Sequence, residues 1–184
     1  MSIISRGNLR LRAVEHEDVR LFLQWVNDPE VTRGLSMYLP ISSVQEERWF
    51  DRLQERDLHE RPLSIELRDG DGWRLIGNCG VFGIQWTHRS AELGIMIGDK
   101  TVWNQGFGTQ VMTLLLRHCF ETLNLNRVFL RVYGENARAR RAYEKAGFAV
   151  EGCLRQAVYR NGRYDDEYIM SVLRSEWDAR KSEG

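Results

Sequence analysis

Apolar and polar positions along the chain change period several times, and each change marks an element. Residues 8–12 alternate with the two-residue period of a short first strand. Residues 15–26 place Val19, Leu21, Phe22, Leu23, Trp25 and Val26 on an amphipathic helix, stopped by Asn27-Asp28-Pro29. Residues 32–41 are irregular. Ser43 and Glu46 have the spacing of a capping box and predict a second helix from Ser43, with Trp49, Phe50 and Leu53 on one side. Residues 63–68 read as strand, Asp69-Gly70-Asp71-Gly72 as a turn, and residues 73–82 as strand again. Ser90–Ile97 is a further strand ending at Gly98. From Gly106 the period lengthens: Val111, Met112, Leu114, Leu115, Leu116, Cys119, Phe120 and Leu123 make an apolar face too long for a strand. Arg127–Tyr133 returns to alternation. Residues 136–146 predict a short helix closed by Gly147 as a left-handed cap. Residues 149–159 and 164–173 form a hairpin around Asn161-Gly162. This order predicts an α/β (or α+β) fold with a mixed sheet and a parallel crossover.

Composition narrows the function. At 184 residues the chain is expected to form one domain. Its 26 Lys+Arg balance 26 Asp+Glu, so it lacks the electrostatic footprint of a general nucleic-acid binder, and no nucleic-acid partner is expected. No run of about 18 apolar residues predicts a membrane span, and the N-terminus has no signal-peptide core. Cys79, Cys119 and Cys153 are few, odd in number and widely spaced, which argues against a disulfide framework and for a cytoplasmic setting. His16, His59, His88 and His118 are scattered with no HExxH spacing, so no metal is expected.

The candidate chemistry begins at Trp103-Asn104-Gln105-Gly106-Phe107-Gly108-Thr109, between a strand and the long apolar helix. A glycine turn there points successive backbone N–H groups outward at a helix N-terminus, an anion site suited to a pyrophosphate. Val111 stands where a dinucleotide-binding fingerprint needs its third glycine, and Asp99 breaks the P-loop order around Gly98 and Lys100. By itself the pair of glycines also serves as a bare helix-start turn.

Three segments in one order carry a specific resemblance: Ala91-Glu92-Leu93-Gly94-Ile95-Met96-Ile97, the turn just named, and the stretch from Asn136 through Tyr143 to Gly147-Phe148. Together they resemble the acetyl-CoA-binding heart of the GNAT N-acetyltransferases. Glu151-Gly152-Cys153-Leu154-Arg155, Tyr159-Arg160-Asn161-Gly162 and Asp166 through Ser171 resemble the Rim-type branch, which includes ribosomal-protein N-terminal acetyltransferases. Trp103 departs from the Gln or Arg common in the wider family and fits that branch. The resemblance implies a single N-acetyltransferase domain over residues 1–184, with core motifs at about 88–173. Its fold would be a central mixed, mostly antiparallel sheet flanked by helices, with a splayed strand pair forming the acetyl-CoA cleft.

The implied reaction is direct attack of a primary amine, from a protein N-terminus or a small molecule, on acetyl-CoA; a non-catalytic acyl-CoA-binding or regulatory module of the same fold is the alternative. The implied coenzyme residues are Gln105, Gly106, Phe107, Gly108 and Thr109 for the phosphates, Asn136 for the pantetheine arm, and Arg138 or Arg141 for phosphate charge. The residues alone read the two Arg as a solvated helix face, and only the resemblance assigns them to phosphate. Met96, Ile97 and Gly98 lie where the resemblance implies a backbone oxyanion donor. Tyr143 is the implied general acid, since a phenol with a pKa of about 10 is a proton donor at neutral pH. Glu92 is the candidate base, or else a partner in a sheet salt bridge. Strand alternation places Glu92, Gly94 and Met96 on one side and Leu93, Ile95 and Ile97 on the other. The acceptor is expected between Arg33, Tyr38 and Trp49 on one wall and Arg155 and Tyr159 on the other. Glu46, Glu47 and Asp51 sit among Arg48 and Arg52, so no dense acidic groove favours a polyamine. The terminal hairpin and Trp177 could serve a homodimer interface.

Overall fold

The computed structural model describes residues 4–182. Its strands are β1 (Ile4–Arg6), β2 (Leu9–Ala13), β3 (Leu63–Asp69), β4 (Gly72–Gln85), β5 (Ser90–Ile97), β6 (Arg127–Tyr133), β7 (Ala149–Arg160) and β8 (Arg163–Leu173). The helices are α1 (Val19–Val26), α2 (Ser43–Arg52), α3 (Phe107–Arg117), α4 (Ala137–Ala146) and α5 (Arg174–Ser182). The strand order in the sheet is β1-β2-β3-β4-β5-β6-β8-β7. Ser90–Glu92 of β5 pairs in parallel with Arg127–Phe129 of β6, whereas β1–β2, β2–β3, β3–β4, β6–β8 and β7–β8 are antiparallel. The chain divides into two compact units, one running to Val81 and resuming over Gly94–Phe107, the other comprising Phe82–Leu93 and the chain from Gly108.

In the first unit Leu9 and Leu11 of β2, Phe22 of α1, Ile65 of β3 and Ile76 of β4 are fully buried; β2 alternates as its sequence predicts, whereas β3 is buried at Ser64, Ile65, Glu66 and Leu67 in succession. The helix expected over 15–26 opens instead as a 3-10 turn at His16–Asp18, where the Asp18 carboxylate accepts from the Glu15 N–H at 3.0 Å. Asp18 is also held by both arms of Arg12, at 2.6 and 2.8 Å, and by Ser64 Oγ at 2.7 Å. The capping box of α2 sits one residue earlier than its sequence signal. Ser42 accepts from the Gln45 N–H and Gln45 Oε1 accepts from the Ser42 N–H. Ser43 is therefore the first helical residue, and Glu46 is buried on the inner face of α2, where burial and then the nearby Glu47 raise its pKa.

In the second unit α3 and β6 bury Val111, Met112, Leu114, Leu115, Leu116, Val128 and Leu130. The helix runs on into a π turn at His118–Thr122, which keeps Cys119 and Phe120 inside. Gly147 takes φ +114° and donates its N–H to Tyr143 and Glu144 carbonyls, closing α4 as its sequence predicts. Asn161 and Gly162 both have positive φ, the hairpin geometry expected of that pair. The sequence did not announce α5. Its Trp177 is buried, with its ring 5.8 Å from that of Phe120, so Trp177 closes its own unit and is not a surface anchor for a second copy. Among the described residues no helix is long and apolar enough to cross a membrane, and no group of His, Cys, Asp or Glu is placed to hold a metal.

Candidate active site

The glycine turn is built from the end of β5. Gly98 and Asp99 both donate their N–H groups to the Ile76 carbonyl, at 2.9 and 3.1 Å. The Asp99 carboxylate then accepts from the Thr101 N–H and hydroxyl, capping a 3-10 turn at Lys100–Val102. Trp103 Nε1 donates to the Ile97 carbonyl at 2.8 Å and Gln105 Nε2 to the Thr101 carbonyl at 2.8 Å. The aromatic at 103 thus ties the turn back to its strand. Asn104 (φ +62°) and Gly106 (φ +84°) take left-handed conformations, and a Cβ on Gly106 would meet nothing within 4 Å, so that side of the turn is open. With α3 starting at Phe107, the N–H groups of Phe107, Gly108 and Thr109 are in the first turn and lack intrahelical acceptors.

Met96 is buried and Ile97 half-buried, while Glu92 and Gly94 are half-buried and Leu93 is buried. Burial therefore does not separate the strand into the two sides that strict alternation predicts. Gly77 accounts for the close neighbour: a Cβ there would lie 2.0 Å from the Met96 carbonyl oxygen. On the acceptor-side segment Arg33 and Tyr38 are exposed, and Trp49 is half-buried with its ring edge-on to Phe22 at 5.9 Å.

The second unit carries the remaining expected residues. Asn136 is the N-cap of α4, its Oδ1 accepting from the Ala139 N–H at 3.1 Å. Thr109 Oγ1 donates to the Ala142 carbonyl at 3.2 Å, fixing the first turn of α3 against α4. Arg138 and Arg141 are exposed on α4. Tyr143 is half-buried, its ring 6.0 Å from that of Phe148, and among the described residues its hydroxyl has no hydrogen-bond partner. Burial pushes its phenol up to about 12. The neighbour of Glu92 is Arg131, whose Nε lies 3.6 Å from the carboxylate and whose Nη1 also meets Glu167 at 3.2 Å. That loose pair is the sheet salt bridge that sequence reading held open beside a base role. Arg155 and Tyr159 are exposed on β7, and the Tyr159 ring lies tilted at 58° against that of Tyr164, centroids 5.0 Å apart.

Sequence reading missed the anchoring roles of Trp103 and Thr109. It also missed a distortion in β7 opposite Asp166, for which the pattern over 153–158 gives no signal. Asn immediately before a helix was a visible cap signal for Asn136.

The family model described as an acetyltransferase (GNAT) domain matches residues 8–149. Spermidine N(1)-acetyltransferase of Vibrio cholerae is 31% identical over 171 residues, covering 93% of this chain and 96% of that protein. A crystal structure of the Vibrio cholerae spermidine N-acetyltransferase in complex with CoA and spermine superposes with a TM-score of 0.84 at 30% identity, covering 94% of this chain and 99% of that one. L-amino acid N-acetyltransferase AaaT of Escherichia coli is 30% identical over 89% of this chain and 97% of its own length. The putative ribosomal N-acetyltransferase YdaF of Bacillus subtilis is 33% identical over 71% of this chain and 68% of its own. With a glycine turn open at the head of α3, a capped α4 carrying an unpartnered phenol, and these matches along nearly its whole length, the chain belongs to the GNAT family and is an acetyl-CoA-dependent N-acetyltransferase with that family's single-domain α/β fold.

Proposed function

We propose that the enzyme transfers acetyl directly from acetyl-CoA to a primary amine, with Tyr143 as general acid. The observation that carries this reading is the Tyr143 hydroxyl on α4, which has no hydrogen-bond partner among the described residues. At neutral pH such a group is fully protonated and has an O–H to give. In the reaction the amine nitrogen attacks the thioester carbon, the C–S bond breaks, and the departing thiolate takes the Tyr143 proton. Glu92 would accept the proton released by the attacking amine, through water, which requires it to leave its 3.6 Å pairing with Arg131.

For the coenzyme, the open turn supplies backbone donors from Gln105 to Thr109, and Gly106 leaves room for a phosphate to approach the main chain. The Asn136 oxygen is engaged in capping, so its Nδ2 would be the group that meets the pantetheine arm. Arg138 and Arg141 would offer phosphate charge from α4. Since the Gly98 N–H is engaged by Ile76, Met96 and Ile97 remain as the oxyanion donors. The names of the relatives spread over a polyamine, an amino acid and a ribosomal substrate, and an amine is what these acceptors share. The ribosomal relative and the segments at 151–155 and 159–171 support placement in the Rim-type branch. Arg33, Tyr38 and Trp49 with Arg155 and Tyr159 remain the proposed acceptor contacts.

The test is an amine and peptide panel followed by thiol release, with mass spectrometry of the product. Stoichiometric thiol and acetylated amine are expected. Release of thiol without an acetylated amine from any panel member would overturn transfer to an amine.

A further inference from the structure

The chain between α1 and α2 closes on itself. Asn27 Nδ2 donates to the Ile41 carbonyl at 2.8 Å and the Ile41 N–H donates to Asn27 Oδ1 at 2.8 Å, so one amide side chain joins the two ends of the loop 28–40. A bond from Asn27 Nδ2 to the Leu23 carbonyl, 3.0 Å, fixes that clamp on the last turn of α1. Pro29 and Pro40 restrict the backbone at either end. Inside the loop the Asp28 carboxylate accepts from the Glu30 N–H at 2.9 Å. The Asp28 carbonyl accepts from the Thr32 N–H and hydroxyl, both at 3.0 Å, and Val31 and Thr32 are buried. The loop is thus compact and joined at its base, the construction of an Ω-loop.

Such a loop keeps its shape by its own bonds, but its tilt about the base is set by what it touches outside. Lys100 makes one such contact. Its Nζ lies 2.7 Å from the Asp28 carboxylate and 3.0 Å from that of Glu30. Lys100 begins the 3-10 turn that leads from β5 to the coenzyme glycines, and its neighbour Asp99 is anchored to Arg74 at 2.8 Å. Two residues before Lys100, Gly98 lies against Trp25 of α1. The first residues of the loop are therefore joined to the coenzyme turn itself, inside one compact unit. The Lys100 charge is balanced by two carboxylates rather than offered to a phosphate, and its hydrogen bond keeps the Asp28 carboxyl below its ordinary value.

We propose that Lys100 is a positioning residue for the acceptor: by holding Asp28 and Glu30 it sets the loop 28–40, with Arg33 and Tyr38 on it, against the turn that carries the coenzyme. This rests on the amine-acetylating reading above and on those two acceptor contacts. A loop held in place gives the acceptor the full affinity of its contacts, whereas a loop that samples other tilts lowers that affinity by the fraction of time it is out of place. The thioester chemistry and the phosphate contacts do not pass through Lys100, so its effect belongs in the acceptor KM.

The test uses the best acceptor from the amine panel. Lys100→Met should raise its KM by about three- to tenfold, the range that two partly exposed ion pairs allow, with kcat and acetyl-CoA affinity near native. Lys100→Arg should keep most of the native affinity. Lys100→Glu should lose more than Lys100→Met, and adding Glu30→Lys to it should recover part of the loss, because the pair is rebuilt with its signs reversed. Salt at about 0.5 M should bring the native KM toward that of Lys100→Met, since surface pairs are screened there. Stabilisation by acetyl-CoA in a thermal melt reports folding and coenzyme binding in each variant. A native acceptor KM in folded Lys100→Met, no recovery in the reversed pair, or a loss confined to acetyl-CoA affinity overturns the role. Arg33→Ala and Tyr38→Ala test the contacts on which it rests. Raised KM values in these two beside a native one in Lys100→Met overturn the loop tie alone. Native values in these two beside a raised one in Lys100→Met overturn the two contacts and leave the tie. Failure to acetylate any amine overturns both.

Discussion

Gly98 lies against the face of Trp25: a Cβ on Gly98 would sit 2.0 Å from Cδ2 and 2.3 Å from Cγ of that ring. The same glycine donates its N–H to the Ile76 carbonyl, so it cannot retreat without breaking the link between β4 and the start of the coenzyme turn. Gly98→Ala is expected to lower stability by about 1–3 kcal/mol, the usual range for overpacking a filled interior. Urea titration measures it. Trp25→Ala in the same chain should make the two effects clearly less than additive, because the second change removes what the first collides with. Strict additivity would show that the ring is not the obstacle.

The Arg12–Asp18 pair makes a prediction about acid. Burial by itself would raise the Asp18 pKa, but the bonds from Arg12, the Glu15 N–H and Ser64 outweigh it and hold the carboxylate below its ordinary value. A depressed folded pKa means that the stabilisation is present above the unfolded value of about 3.9 and is lost as pH falls through the folded one. Glu151, held at about 2 by Arg127 first and Ser171 second, adds to the loss on the same acid side. Asp18→Asn should cost about 3–5 kcal/mol at pH 7, since it strands a largely buried guanidinium that Glu66 alone then balances. The gap between native and variant stability should narrow as pH drops below about 4. A gap constant from pH 7 to pH 2.5 would contradict the assigned ionisation.

What could be read ahead of the structure follows from how locally each element is encoded. Strands β5 and β6 match their predicted bounds because SAELGIMI and RVFLRVY carry apolar or β-branched residues bounded by turn residues. Gly147 and Asn161-Gly162 were legible because left-handed backbone leaves few residue choices. Helix α5 was not, because Arg174–Ser182 has one large apolar residue, Trp177, and its docking depends on Phe120 far back in the chain. The capping box slipped by one residue because Ser42-Ser43 and Gln45-Glu46 offer two registers with the same spacing. At the site, residue types were legible from motif order. Their engagements were not: Trp103 with Ile97, Thr109 with Ala142 and Glu92 with Arg131 join residues whose pairing no local spacing encodes.

Trp177 has a role the sequence left open between interface and core. Its burial against Phe120 predicts that Trp177→Ala removes core packing, at about 3–5 kcal/mol. The variant should keep the sedimentation behaviour of the native protein at temperatures where both are folded. A change in oligomeric state with little change in stability would return Trp177 to the surface role.

Tyr143 yields the sharpest functional prediction. Its hydroxyl has no partner among the described residues, so replacing Tyr143 with Phe removes no internal hydrogen bond, and the thermal melt should change little. The loss should fall on turnover, by about 10²–10⁴-fold, the span associated with one positioned acid. Acetyl-CoA affinity, read by thermal shift, should fall far less. The pH profile separates this role from simple packing. A phenol raised to about 12 remains protonated across the accessible alkaline range, so native kcat should show no fall on the alkaline side below about pH 10 that Tyr143→Phe abolishes. Such a fall near pH 8 or 9, absent from the variant, would mean that the phenol ionises far below its assigned value. If turnover instead matched the native rate with a good amine acceptor, the thiolate would be taking its proton from water.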